Sequence, residues 1–220
     1  MRYEFFDFQH TLSDEERIAW IRSAYETILR RELEAMGRKS SRLLRFLAES
    51  DFYTVPCRHH LFAGGNAWHQ LETLAFAYGP CPQDYEQVSD FAHWQPQWLE
   101  CFPMSLAVAA LLHDISNAGY GGERHVEYPQ RIKSRHGRKS TYVLVDYLKF
   151  DLMFDENMAI LHHEHKSEDE LRLNTPNTED FEMIWAMPLF HMIQHCDTLS
   201  TIVRMNEQEL RSRVEPLLAQ

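Results

Sequence analysis

A chain of 220 residues is long enough for one domain with a full core, since roughly 70% of the unfolded surface is hidden at this size. Apolar residues at 44% and charged residues at 25% give a globular composition and exclude extended disorder. The 22 Lys and Arg against 33 Asp and Glu leave a net charge of −11, which excludes a general nucleic-acid-coating protein with its basic face. A small anionic substrate stays open, because bound metal cations can dominate a local site.

The longest apolar run, 106–112, is far short of the roughly 20 residues that span a bilayer. The N-terminus lacks the continuous apolar stretch of a secretory signal. Four cysteines, at 57, 81, 101 and 196, form no C-x-x-C pair and are expected to be reduced thiols in the cytoplasm. The expectation is a cytoplasmic protein with no membrane partner.

In chain order, Ser13 and Glu16 make a Ser-x-x-Glu capping box that opens a helix. Ile18, Ile21, Ala24, Tyr25 and Ile28 then recur at helical spacing. A second helix is predicted over 40–48, with Leu43, Leu44 and Leu47 on one face. The stretch 51–65 reads as a loop punctuated by Pro56 and Gly64-Gly65. A helical stripe of Trp68, Leu71, Leu74, Ala75 and Tyr78 follows over 66–78, and Pro80 and Pro82 end it.

Helices are expected near 85–93 and over 103–115, and Gly119, Gly121 and Gly122 open a loop that runs to about 137. Two more helices are predicted over 139–150 and 155–165, the second capped by Asp155. A polar loop, 166–178, leads to a helix over 179–203, broken near Pro188, and an amphipathic helix over 206–218. Val143-Leu144-Val145 is the best strand candidate, but its flanks are helical. The fold class is therefore all-α. Residues 1–50 are expected as an N-terminal helical extension, 51–205 as a metal-binding domain, and 206–220 as a C-terminal helix on that domain.

Thirteen histidines are the unusual count. His69, His113-Asp114, His136, His162-His163 and Asp197 combine ligand types with positions on or beside apolar helices. His113 and Asp114 end the 106–112 run, so they emerge from the core, where a charge needs a partner or a metal. Adjacent helical residues point about 100° apart. A neighbouring His and Asp therefore suit two nearby metals, with the Asp bridging, better than one closed tetrahedral site. Mixed imidazole and carboxylate ligands fit Mn, Fe, Co, Ni or Zn.

The order H…HD…H…H…D resembles the HD superfamily of metal-dependent phosphohydrolases, from about residue 55 to 202. Ala109-Ala110-Leu111-Leu112-His113-Asp114-Ile115 is its strongest piece. His59-His60-x-x-x-Gly64-Gly65-x-x-x-His69 is similar to the H-H-x-x-x-G-G-L-x-x-H opening of a bacterial and phage branch. In that branch His136-Gly137-x-Lys139-Ser140 and Ala159-Ile160-Leu161-His162-His163 resemble H-G-x-K-S and A-I-x-x-H.

The resemblance implies a single HD-domain-like helical bundle and one or two divalent transition-metal ions. It implies that His69, His113, Asp114 and Asp197 hold the first ion, and that His136 and His163 hold a second, with Asp114 shared. His163 is the match and His162 points elsewhere. The implied activity is cleavage of a phosphate ester of a nucleotide or related small molecule by a metal-bound hydroxide. Asp114, His136 and Lys139 would be catalytic, and Lys139, Arg138 and His60 would meet the substrate. Mixed-valent di-iron oxygenases have a similar ligand set, and a catalytically silent metal- or nucleotide-binding regulatory module is the other alternative.

The expected partner is a small phosphate-containing anion rather than long nucleic acid, and a homodimer is left open. Two features depart from the pattern. The family continues H-D-[IL]-[GC]-K, where this chain has Ser116-Asn117; and Trp68 and Asn66 stand where the branch has Glu and Leu. Arg131, Lys133, Arg135, Arg138 and Lys139 form the densest positive run. His165 with Glu164 is expected to face solvent, and His191 and His195 to pack as an i, i+4 pair. Met183, Met187 and Met192 are expected in the core.

Overall fold

A computed structural model describes residues 11–79, 95–96, 99–100, 103–118, 126–129, 135–165, 167–175 and 177–219. All regular elements among them are helical. In order they are α1 (Asp14–Ala35), α2 (Ser41–Glu49), α3 (Gly65–Tyr78), α4 (Pro103–Leu112), a 3-10 turn (Ile115–Asn117) and α5 (His136–Thr141). A π-helical turn (Tyr142–Tyr147), α6 (Phe154–His162), α7 (Glu168–Asn174), α8 (Thr178–Trp185), α9 (Pro188–Ile202) and α10 (Glu207–Leu218) follow. The helix expected near 85–93, Trp94 and Trp98, Cys81 and Cys101, and the glycines at 119–122 lie outside the described residues.

Four helices form the central bundle, in which α4 and α9 each pack against α3, against α6 and against one another. Their composition explains the arrangement. α3 is buried from Gly65 to Ala77, so it runs through the interior rather than along one side. α4 is apolar from Leu106 to Leu112 and has no polar face to give to water. α1 lies against α3, α4 and α10. It starts on the expected capping box, in which Ser13 Oγ accepts from Glu16 N and Glu16 Oε2 accepts from Ser13 N. Buried residues of α1, α2 and α10 belong to the same hydrophobic core as the central bundle. Leu171, Phe181, Ile184, Met187 and Phe190 make a smaller satellite core where α7, α8 and α9 meet.

The elements differ from the sequence expectation where polar residues hide a helix or a cap. The segment 166–178 is not all loop: α7 lies within it, capped by Ser167 Oγ accepting from Glu170 N. Pro188 divides the long C-terminal segment into α8 and α9 and occupies the first turn of α9, where a missing N–H costs nothing. Asp155 does not cap α6; the cap residue is Met153, whose N–H donates to Glu156 Oε2. The strand candidate at 143–145 lies in the π-helical turn. Met187 and Met192 are buried as expected, whereas Met183 is exposed.

α6 is tied to the α1–α2 connection by one buried ion pair. Arg38 Nη1 lies 2.8 Å from both carboxylate oxygens of Glu156, which is fully buried. Arg38 also donates to the Asp151 carbonyl and stacks over Phe150. Removing one partner of such a pair leaves an uncompensated buried charge. Glu156→Ala is therefore expected to lower unfolding free energy by about 3 kcal/mol. Urea denaturation with an unchanged m-value checks this.

Candidate metal centre

The four central helices bring their polar residues to one place. His69 comes from the middle of α3 and Asp197 from the middle of α9. His113 and Asp114 follow the last residue of α4, and His163 follows the last residue of α6. His136 opens α5. α5 lies close to α6 because residue 137 is glycine. A Cβ there would stand 2.6 Å from the Leu161 carbonyl oxygen, and the close approach brings His136 to His163.

The six side chains fall into two groups that share Asp114. In the first, His69 Nε2 lies 3.4 Å from His113 Nε2 and 3.1 Å from Asp197 Oδ1. Asp114 Oδ2 is 3.9 Å from each of these two imidazole nitrogens. In the second, His136 Nε2 and His163 Nε2 are 3.0 Å apart. Asp114 Oδ1 is 3.6 Å from each of those. One carboxylate oxygen thus faces each group.

The opposite ring nitrogens show which way these histidines present their lone pairs. His113 Nδ1 donates to the Ala110 carbonyl at 2.8 Å, and His163 Nδ1 to the Ile160 carbonyl at 2.8 Å. Ser200 Oγ commits its only proton to the Asp197 carbonyl, so it accepts from His69 Nδ1 at 3.0 Å. Glu164 Oε2 lies 3.2 Å from His136 Nδ1. Each Nδ1 is held by an acceptor, which is the arrangement that orients metal-binding histidines. Each Nε2 then turns toward the centre.

Ligands about 2.1 Å from one ion stand about 3.0–3.5 Å apart when adjacent, and the shorter separations here match that span. Asp114 Oδ1 is buried and has no hydrogen-bond partner, which leaves it available for a cation. The residues therefore fit a metal, and the groups His69, His113 and Asp197 and His113, Asp114 and His163 could each hold one. His60, His69 and Glu72 form a further group. In that group both ring nitrogens of His69 already have partners, and Glu72 Oε1 accepts from Trp68 Nε1 and Met205 N.

Charge and burial compete within the cluster. Burial alone would raise the Asp114 carboxyl. The neighbouring His136, His113 and His163 imidazoles outweigh it, and the group is held well below the usual carboxylate range. Burial pushes His113 down to about 4. Burial also opposes protonation of His69 and His163, but Asp197 and Asp114 respectively overcome it and both are raised.

Beside this cluster lies a cavity of about 970 Å³ lined by His69, Asp114, His136 and Asp197. His136 is 44% exposed, so the second group opens toward solvent. Lys139, Arg138 and His60 do not line this cavity. Lys139 Nζ stands over the Tyr128 ring, and His60 is buried with its Nε2 2.8 Å from Glu72 Oε2. Among the described residues, the Lys and Arg side chains on the cavity wall are Arg58 and Arg135. Arg131 and Lys133 lie outside the described residues.

Other histidines depart from expectation. His165 does not face solvent; it is buried, with its ring tilted against the His162 ring at 5.2 Å. His191 packs and donates to the Trp185 carbonyl, but His195 lines the cavity. Glu164, Ser200 and Asn117 were not singled out from the sequence for these contacts. Asn117 Nδ2 donates to Asp114 Oδ2 at 3.3 Å and to Asn66 Oδ1 at 3.0 Å. The available signal was spacing, since Ser200 and Asn117 each stand three residues after a cluster carboxylate.

No protein-family model, curated protein or solved structure matches this chain. Among the described residues, no helix is long and apolar enough to cross a membrane.

Two outcomes are expected. Ser200→Ala removes the acceptor behind His69 and should weaken metal binding by about 10–100-fold with the fold intact, measured by competition with a chromophoric chelator. Ligand imidazoles must be neutral to bind a cation. With His69 and His163 raised, protons compete at neutral pH, so metal affinity should climb as pH rises through and above the ordinary histidine range. Chelator titrations between pH 5.5 and 8.5 measure that slope.

Proposed function

We propose that the chain is a metal-dependent phosphohydrolase of the HD superfamily, acting on a phosphate ester of a nucleotide or related small molecule. One observation carries this reading: Asp114 turns one oxygen to His69 and His113 and the other to His136 and His163. In it, His69, His113, Asp114 and Asp197 hold one divalent transition-metal ion, and His136, His163 and Asp114 hold a second. When bound, such ions supply a hydroxide nucleophile at neutral pH and charge stabilisation for a phosphoryl oxygen.

The protein's own groups support water as the nucleophile. Cys57 lines the cavity, but burial pushes its thiol up to about 12, so it is not a thiolate. Glu164 orients His136, and the Ala110 and Ile160 carbonyls orient His113 and His163. The cavity adjoining Asp114 and His136 has room for an organic phosphate rather than phosphate alone. The Mn, Fe, Co, Ni and Zn ions all suit this donor set.

Elemental mass spectrometry on protein purified without chelator or a nickel column, followed by a phosphate-release panel, tests the reading. One or two Mn, Co, Ni or Zn per chain, with phosphate released from at least one nucleotide, is the expected result. Two irons with dioxygen uptake would replace it with an oxygenase. Bound metal and nucleotide with no product would replace it with a regulatory module. His113→Ala and Asp114→Ala should each lose metal and activity together while helical circular dichroism persists.

A further inference from the structure

A second cavity, of about 430 Å³, lies between the α1–α2 connection and the segment that follows the π-helical turn. None of its lining residues lines the cavity at the metal centre. Its wall is cationic in an acidic chain: Arg38, Lys39, Arg42 and Lys149 stand there against one carboxylate, Asp151. Its floor is apolar, since Leu43, Leu148 and Phe150 line it and are buried.

Both arginines reach from the α1–α2 connection to the segment 147–151. Arg38 is held by Glu156, the Asp151 carbonyl and the Phe150 ring. Arg42 Nη2 donates to the Tyr147 carbonyl at 2.9 Å. Lys149 lies in the middle of the segment they bind, and Lys39 follows Arg38. Lys39 and Lys149 are exposed, and neither forms a hydrogen bond or ion pair with another described residue.

Lys149 holds a backbone conformation that suits other residue types better. Its φ is +52°, just past the end of the π-helical turn. Glycine or asparagine takes that left-handed position at lower cost. The bonds on either side, Leu148 N to the Val143 carbonyl and Phe150 N to the Leu144 carbonyl, are both 2.8 Å and keep it there. Among the described residues the lysine ammonium finds no partner that would offset the cost.

Charge and shape together narrow the ligand. Glu156 takes up Arg38 and Asp151 offsets one more cation, so two of the four on the wall are left without a counter-charge. The first turn of α2 lines the same cavity and has no acidic residue to supply one. A phosphate monoester brings up to two charges on one group, and both guanidinium and ammonium pair with its oxygens. The volume is that of a small-molecule site, and an apolar floor under a charged rim suits an organic anion better than a bare one.

We infer that this cavity is a second ligand site, which takes a small organic phosphate monoester on Lys39, Arg42 and Lys149. It is separate from the metal centre and does not depend on the function proposed for that centre.

The test is calorimetric titration of phenyl phosphate, inorganic phosphate and benzoate into the full chain, with and without a metal chelator. Wild type should bind phenyl phosphate at least about threefold more tightly than either of the other two, and the chelator should leave this binding in place. Lys39→Gln and Lys149→Asn should each weaken phenyl phosphate by about three- to fivefold, and the double variant by about tenfold. Lys149→Asn should also leave the Tm unchanged or raised, because asparagine suits the left-handed backbone, so its lost affinity is not lost fold. Binding that disappears with the chelator would place the anion at the metal centre and overturn the inference. So would an affinity that the lysine variants leave unchanged, or equal affinity for all three anions, which is a plain charged patch.

Discussion

The structure is organised around a buried carboxylate. Asp114 is packed among histidines at the meeting point of four helices, and an isolated charge there would be prohibitively costly. Its two oxygens need compensation from different directions. One faces the end where α3 and α9 supply His69 and Asp197, and the other faces the end where α5 and α6 supply His136 and His163. The relative placement of the helices is thus also the placement of charges around one group. The surrounding core of α3, α4, α6 and α9 is apolar, which lowers the local dielectric and strengthens each of those interactions.

The helix ends solve two problems with one bond. The last carbonyls of an α-helix have no partner within the helix. At the end of α4 the Ala110 carbonyl accepts from His113 Nδ1, and at the end of α6 the Ile160 carbonyl accepts from His163 Nδ1. Each bond satisfies a helix terminus and, by taking the Nδ1 proton, leaves Nε2 facing the centre. The buried helices cannot use this device, because His69 sits mid-helix with its carbonyls engaged. There the neighbouring helix provides the acceptor, Ser200, which is three residues after Asp197. A carboxylate and the oxygen that orients its neighbouring imidazole therefore share one face of α9.

What could be read from the sequence follows from which signals are local. The capping box at Ser13, the apolar run before His113 and the stripe around His69 are local, and the elements they predict are present. The convergence of His69, His113, Asp114, His136, His163 and Asp197 was legible because their order and spacing make a pattern. The walls of the cavity were not. α7 has one buried residue, Leu171, in a charged segment, too little for a periodic signal. His60 and His59 are adjacent and chemically identical, yet Glu72 buries one and the turn exposes the other to the cavity. Lys139 is three residues from His136, but its ammonium stands over the Tyr128 ring and it does not line the cavity. Such outcomes depend on partners distant in sequence, and composition does not encode them.

Asn66 and Asn117 act as one physical unit beside the candidate metal centre. Asn66 stands at the start of α3, and Asn117 ends the 3-10 turn that follows Asp114. The two side chains are hydrogen-bonded, Asn117 Nδ2 to Asn66 Oδ1 at 3.0 Å, and the other Nδ2 proton serves Asp114 Oδ2. A leucine at 66 could not accept that bond, and a lysine at 117 would add a charge beside a carboxylate that the histidines already compensate. Asp114 is thus held by a neutral amide fixed to the first turn of α3, the helix that also carries His69. A neutral amide orients Asp114 without adding charge to the histidines around it, and the same amide ties the end of α4 to the start of α3.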